Sequence, residues 1–151
     1  MDLVPNHQKF RRAGGHILLV RVESACRASR WAESPLGHLA LQVARAWGCE
    51  VTAFTSSEVK EKEAKSLGAH HTLSSRDPDQ ITGAAGQFDL ILSTVGLPLD
   101  WQLYLQTLRP RGRLHFLGTV TASLEIAPFE LMSAQLSISS SVVGSPRTMA
   151  R

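Results

Sequence analysis

Apolar and polar residues follow two different periods along this chain. Leu36, Leu39, Ala40, Val43 and Trp47 recur at helical spacing, which predicts a helix with one apolar face. Ser34 suits its N-cap and Pro35 its first position, where a missing N–H costs the helix nothing. Gly48 falls where a left-handed C′ residue ends a helix. Residues 49–54 are short, apolar and partly β-branched, and predict a strand. Further strands are expected at 16–22, 71–73, 88–93, 113–117 and 136–143. Helices are expected at 58–67 and 98–108, with short helical turns after Asp77-Pro78-Asp79-Gln80 and at 129–134. Ser57 is read as the cap of the 58–67 helix, Glu58 and Glu61 suit its positive end, and Gly68 stops it. Arg109-Pro110-Arg111-Gly112 reads as a turn.

Strand and helix therefore alternate, which predicts a single α/β domain built on a doubly wound parallel sheet. The near-continuous apolar run at 88–93 suits a strand covered on both faces. Ligands of such sheets bind past the carboxyl ends of the strands. The residues expected there are Thr55-Ser56-Ser57, Ser93-Thr94-Val95, Gly118-Thr119 and Val143-Gly144-Ser145. Residues 1–13 show no period, and 23–33 are polar and rich in small residues, a loop or an irregular helix.

Composition adds a boundary. The chain has 151 residues and a net charge of +3. Lys9, Arg11, Arg12, Arg21, Arg27 and Arg30 oppose only Asp2 and Glu23 before residue 32, so residues 1–31 form a basic leader, with the first strand at 16–22 either inside it or part of the domain, and the rest is nearly neutral. Those cations are not interleaved with aromatics on one element, so no nucleic-acid partner is expected. No apolar run reaches membrane-spanning length and no signal-peptide core is present, so the expected compartment is cytoplasmic. Cys26 and Cys49 are far apart and lack metal-type spacing; reduced thiols are expected, with no zinc in this chain.

Leu36-Gly37-His38-Leu39-Ala40-Leu41-Gln42-Val43-Ala44, then Gly48 and Val51-Thr52-Ala53-Phe54-Thr55-Ser56-Ser57, resemble the cofactor domain of medium-chain zinc-dependent alcohol dehydrogenases. The nearest subgroup is the NADP-dependent, cinnamyl-alcohol-dehydrogenase-like one. Glu63-Ala64-Lys65-Ser66-Leu67-Gly68-Ala69, the 88–95 run, 112–118 and 141–145 continue the resemblance in order. It covers about residues 34–147 and implies a Rossmann-like fold, with 32–151 as the dinucleotide-binding domain.

Several roles follow from the resemblance alone. The family carries a Gly-x-Gly-Gly-Leu-Gly turn for the cofactor pyrophosphate. Ala32-Glu33-Ser34-Pro35-Leu36-Gly37 stands there, and only the last glycine remains. Glu33 adds negative charge near the expected phosphate, and Pro35 removes an N–H that would point at it. Losing one charge-assisted hydrogen bond costs about 1.5–3 kcal/mol, so weak cofactor binding is expected. Gly37 serves either the pyrophosphate or close helix–sheet packing. Where an NAD-preferring domain places an acid after its second strand, this chain has Thr55, Ser56 and Ser57, with Lys60 three residues on. The subgroup uses a Ser-Ser-Ser-x-x-Lys arrangement for a 2′-phosphate, which Thr55-Ser56-Ser57 and Lys60 resemble, and hydroxyls with an ammonium suit that group. The alternative is that Ser57 only caps and Lys60 is a solvated helix residue. Thr94 and Val95 would line the path to the nicotinamide, Gly118 would admit its ribose, and Val143-Gly144-Ser145 would contact its carboxamide.

The family's catalytic zinc ligands come from a separate domain, and His38, His70, His71 and His115 are not spaced as a ligand set. The expected function is the NADP(H)-binding portion of an alcohol dehydrogenase or aldehyde reductase, truncated at both ends and inactive alone. The alternatives are a non-catalytic Rossmann-like module and a zinc-free quinone or enoyl reductase relative; the latter usually show Gly-Val-Gly in place of Leu36-Gly37-His38. Short-chain dehydrogenase chemistry is disfavoured, because Tyr104 is followed four residues later by Leu108 rather than Lys. Methyltransferase chemistry would want an acid after the second strand. A homodimer through the 137–143 strand is the partner the resemblance implies, since an open edge there needs covering.

Overall fold

A computed structural model describes residues 16–20, 35–94, 96, 99–118 and 120–141. The elements are β1 (His16–Val20), α1 (Pro35–Ala46), β2 (Glu50–Thr55), α2 (Glu58–Leu67), β3 (His71–Ser74), α3 (Pro78–Gly83), β4 (Phe88–Ser93), α4 (Trp101–Leu105), β5 (Leu108–Phe116), α5 (Pro128–Ser133) and β6 (Ser137–Ser140). All six strands are parallel, in the order β3-β2-β1-β4-β5-β6. This is the doubly wound arrangement, with the order reversing between β1 and β4.

Two cores flank the sheet. On the α1–α2 side, Leu41 and Ala44 meet Val51, Ala53 and Ala64. On the other side, Phe54, Ile91, Leu114 and Phe116 meet Trp101 and Tyr104 of α4. There the rings pack edge to face, Phe54 on Tyr104 at 5.2 Å and Trp101 on Phe116 at 4.8 Å. Such pairs add about 0.5–1.5 kcal/mol each beyond the area they bury.

Local chemistry explains where elements begin and end. Gly48 stands at φ 76, the left-handed stop expected after α1. Asp77 caps α3 by accepting from the Asp79 amide at 3.0 Å. Ser57 occupies the N-cap of α2 with extended backbone, but its side chain makes no capping hydrogen bond. The expected cap Ser34 lies outside the described residues.

Three expectations are corrected. The helix expected at 98–108 is only Trp101–Leu105. Asp100 caps it late, accepting from the Leu103 amide at 3.3 Å. Its end comes early because the Thr107 carbonyl accepts from the Gln87 and Phe88 amides at 2.9 and 3.0 Å, drawing the chain into β5. The turn expected at 109–112 lies inside β5 rather than before it. Phe88 pairs with Leu108, yet Leu90 pairs with Arg113, so extra residues of β5 bulge out there. Arg111 has φ 66, and its amide donates to the Ala134 carbonyl at 2.8 Å. The turn residues do bend the chain, but within a paired strand.

The third correction concerns α1. Gly37, Leu41 and Ala44 face the sheet, while Leu36, Leu39, Val43 and Trp47 are exposed. Apolar residues cover more than one face of this helix, so periodicity alone does not choose the face that packs. The small residues do, because they let the helix approach the sheet. At 136–143 the strand is Ser137–Ser140; residues 142–151 lie outside the described residues, as do 1–15 and 21–34.

His115 ties β5 to β6, with Nδ1 2.9 Å from Ser139 Oγ and Nε2 3.0 Å from Ser141 Oγ. Burial, and then the Arg113 charge, hold its pKa below the usual 6.5. The unfolded chain therefore binds this proton more readily than the folded one. Its stabilising contribution is complete above about pH 6.5 and falls away as the pH drops through that region. Urea midpoints measured across this range will fall less steeply for His115→Gln than for the unaltered chain; parallel curves contradict the assignment. At the bulge, a Cβ on Gly112 would stand 2.8 Å from the Arg109 carbonyl oxygen and 3.0 Å from the Leu108 side chain. Gly112→Ala is expected to lower unfolding free energy by about 1–3 kcal/mol, read by urea denaturation, and an unchanged midpoint contradicts the tight approach.

Candidate functional site

Parallel strands all end on one edge, and the crevice of a doubly wound sheet opens where the strand order reverses. Here that place lies between the ends of β1 and β4. The start of α1 follows β1 in the chain, with Gly37 buried and Leu36 half exposed. No acidic residue stands in its first turn, so its free amides and positive dipole end suit an anion.

The tips of β4 and β5 are joined. The Ser93 carbonyl accepts from the Leu117 amide at 2.8 Å and the Gly118 amide at 3.1 Å. Gly118 is thereby held beside Ser93 and half-buried Thr94. Ser93 Oγ is buried with no hydrogen-bond partner, which costs about 1–3 kcal/mol. Sequence reading placed Ser93 at a strand end; the unsatisfied hydroxyl has no sequence signal, because it depends on what packs around it.

The tip of β2 opens onto a cavity of about 370 Å³ lined in part by Thr55, Ser56 and Ser57. Thr55 and Ser56 are buried, and Ser57 is exposed. The far wall comes from β3 and α3, through Thr72, Ser74 and Gln80. Sequence reading missed this wall. Its only signal was the hydroxyl residues of β3, which the Thr55–Ser74 pairing brings alongside. Lys60 stands half-buried on α2 and does not line the cavity. Glu58 and Glu61 border it as well. Glu61 is already engaged: it accepts from Thr72 Oγ1 and from Lys65 Nζ, the latter at 2.9 Å. The Thr72 bond first, and then Lys65, hold its carboxyl below the usual range.

The structure thus gathers Thr55, Ser56 and Ser57 around one cavity, and Thr94 with Gly118 at the β4–β5 tips. Leu36 and Gly37 begin the helix that follows β1. Val95, Val143, Gly144 and Ser145 lie outside the described residues.

Other polar groups do not join this edge. A second cavity of about 510 Å³ lies near the amino ends of the strands. It is bordered by the His71–Glu50 pair at 2.8 Å and by Arg109, which pairs with Asp89 at 3.1 Å. His38 meets Glu63 at 3.3 Å. Among the described residues no group of three or more His, Cys, Asp or Glu could hold a metal ion. Cys49 is a free, buried thiol whose pKa burial pushes up. No helix among the described residues is long and apolar enough to cross a membrane.

Comparison with known proteins agrees with this geometry. The zinc-binding dehydrogenase family model matches residues 35–151. Aldehyde reductase AdhA of Synechocystis sp. is 56% identical over 115 residues, covering 76% of this chain and 34% of its own length. An NADP-dependent alcohol dehydrogenase C of Mycolicibacterium smegmatis is 36% identical over 109 residues, 72% of this chain and 31% of its own. A cinnamyl alcohol dehydrogenase from Sorghum bicolor superposes with a TM-score of 0.77 at 29% identity, covering 91% of this chain and 36% of that one. The chain spans about a third of the length of these relatives. With the matched region running from the start of α1 through β6, the chain belongs to the zinc-binding dehydrogenase family and spans a partial domain of the cofactor-binding type.

Proposed function

We propose that this chain is the NADP(H)-holding portion of an alcohol dehydrogenase or aldehyde reductase, and that it turns nothing over alone. The observation that carries the reading is the tip of β2. Three hydroxyl residues stand where an NAD-preferring domain has an acid, and they border a cavity. Ser57 spends no hydroxyl on capping α2, which leaves it available to a phosphate.

The residues assigned to the cofactor are those the family pattern marks. Ser56 and Ser57 donate to the 2′-phosphate, Thr55 shapes the shelf, and Lys60 contributes positive charge from α2. Leu36 and Gly37 admit the pyrophosphate to the start of α1. Thr94 and Val95 line the path beyond it, Gly118 leaves room for the nicotinamide ribose, and Val143-Gly144-Ser145 meet the carboxamide through their backbone. When bound, NADP(H) supplies or receives the hydride. The described residues do not fit a zinc ion, so no step through zinc is assigned to them.

Binding by this chain is weak in our reading. Glu33 and Pro35 replace favourable groups of the pyrophosphate turn, and Glu58 borders the 2′-phosphate cavity. The binding domain in this reading is 32–151 together with β1, which lies within the basic 1–31 stretch, and its compartment is the cytoplasm. The outer edge of β6 would let a second copy pair along it.

Titration with NADPH and with NADH, followed by nicotinamide fluorescence, tests the reading. NADPH is expected to bind the more tightly; equal affinities contradict the assignment of Ser57 and Lys60. Saturation by neither would favour a module that holds no cofactor. Lys60→Glu is expected to weaken NADPH by about tenfold or more, leaving NADH nearly unchanged, and an equal loss for both sinks the 2′-phosphate role.

A further inference from the structure

The cavity at the β2 tip is short of positive charge. Two carboxylates border it, Glu58 and Glu61, and no cation is among its lining residues. Lys65 answers Glu61 at 2.9 Å. Glu58 is exposed and forms no ion pair with any described residue. A phosphate brought there meets hydroxyls, but also a carboxylate that repels it. The cation that offsets this repulsion has to reach in from outside the lining.

Register sets one on the next strand. Thr55 pairs with Ser74, and the Ser75 amide donates to the Thr55 carbonyl at 2.8 Å. The chain therefore leaves β2 and β3 at the same level, and Arg76 stands as far past Ser74 as Ser57 stands past Thr55. Arg76 also begins at the rim of the cavity: its amide donates to Oγ of Ser74, a lining residue, at 3.3 Å. Neighbouring strands lie about 4.8 Å apart, which is within the reach of an arginine side chain.

The turn that carries Arg76 is held on both sides. Before it, the Ser74 amide donates to Gln80 Oε1 at 2.9 Å. After it, Asp77 accepts from the Asp79 amide and from Gln80 Nε2, both at 3.0 Å. The acid next to Arg76 in the chain is thus engaged in capping α3. Asp79 is exposed in the first turn of that helix. Neither acid forms an ion pair with Arg76, whose guanidinium is exposed and pairs with no described residue. The backbone is fixed before any anion arrives, and only the arginine side chain remains to be ordered.

We propose that Arg76 is a further determinant of the preference for a 2′-phosphate, its guanidinium reaching over the cavity mouth to hold that group from the β3 side. The inference rests on the NADP(H) reading of the β2 tip and deepens it. Ser56, Ser57 and Lys60 all belong to the β2–α2 side; Arg76 is the contact from the opposite wall. A guanidinium donates two parallel hydrogen bonds to one phosphate and keeps its charge at any working pH. It also offsets Glu58. A ligand without the 2′-phosphate gives Arg76 nothing to hold at this place.

Calorimetric titration of the unaltered chain, of Arg76→Gln and of Arg76→Lys is the test, with adenosine 2′,5′-bisphosphate and adenosine 5′-monophosphate as probes. The unaltered chain is expected to favour the bisphosphate. Arg76→Gln is expected to weaken the bisphosphate about tenfold, with the monophosphate nearly unchanged and far-UV circular dichroism the same. Arg76→Lys is expected to fall between the two, because it keeps the charge and loses the paired donors. If the unaltered chain favours the bisphosphate and Arg76→Gln keeps that preference in full, the proposal is overturned and the NADP(H) reading stands. An equal loss of both probes in Arg76→Gln also overturns it, since the residue then holds the turn and not the phosphate. No preference in the unaltered chain, or binding of neither probe, overturns the reading and the proposal with it.

Discussion

Parallel pairing of His16–Val20 with β2 on one side and β4 on the other is the contact on which the sheet order depends. His16 lies beside Glu50 and Ile17 beside Leu90. Without β1 there are two separate pieces: β2 with β3, and β4 with β5 and β6. With it, the chain winds outward in both directions from one strand, and a crevice opens where the direction changes. The position of the site follows from that topology before any side chain is considered.

Packing then makes the two faces unequal. The face with α4 carries the large residues, including Phe54, Trp101, Tyr104 and Phe116. The α1 face is built from small ones, with Ala44, Ala53 and Ala64 among them. Small residues bring helices close to a sheet but bury less area each. That leaves the larger apolar side chains of α1 on its outer flank, beside strands that no described helix covers. The thin core of this face and the exposed flank are two consequences of the same choice of residues.

Much of the fold was legible in the sequence. β4 and α2 stand at the expected residues because a continuous apolar run and a pair of helix-end signals are local features. The doubly wound class followed from alternation alone. What failed depended on distant contacts. The β5 bulge is held by the carbonyl of Ala134, and α4 ends where β4 captures the Thr107 carbonyl. The pattern did not mark the packed face of α1, because its apolar residues span two faces. At the candidate site, Thr55, Ser56 and Ser57 were visible as a hydroxyl run after a strand. The β3 wall was not, since only register places Ser74 beside Thr55. Nor were the two carboxylates of α2 recognised as neighbours of the same cavity.

The account comes down to whether that cavity receives an extra phosphate on the adenosine ribose. Adenosine 2′,5′-bisphosphate and adenosine 5′-monophosphate differ only by that group. Backbone amide shifts, recorded while each is titrated in, read the contact residue by residue. The account predicts saturable shifts at Ser56, Ser57 and Lys60 with the bisphosphate, and much smaller ones with the monophosphate. Identical responses to both, or shifts confined to other parts of the chain, would contradict it.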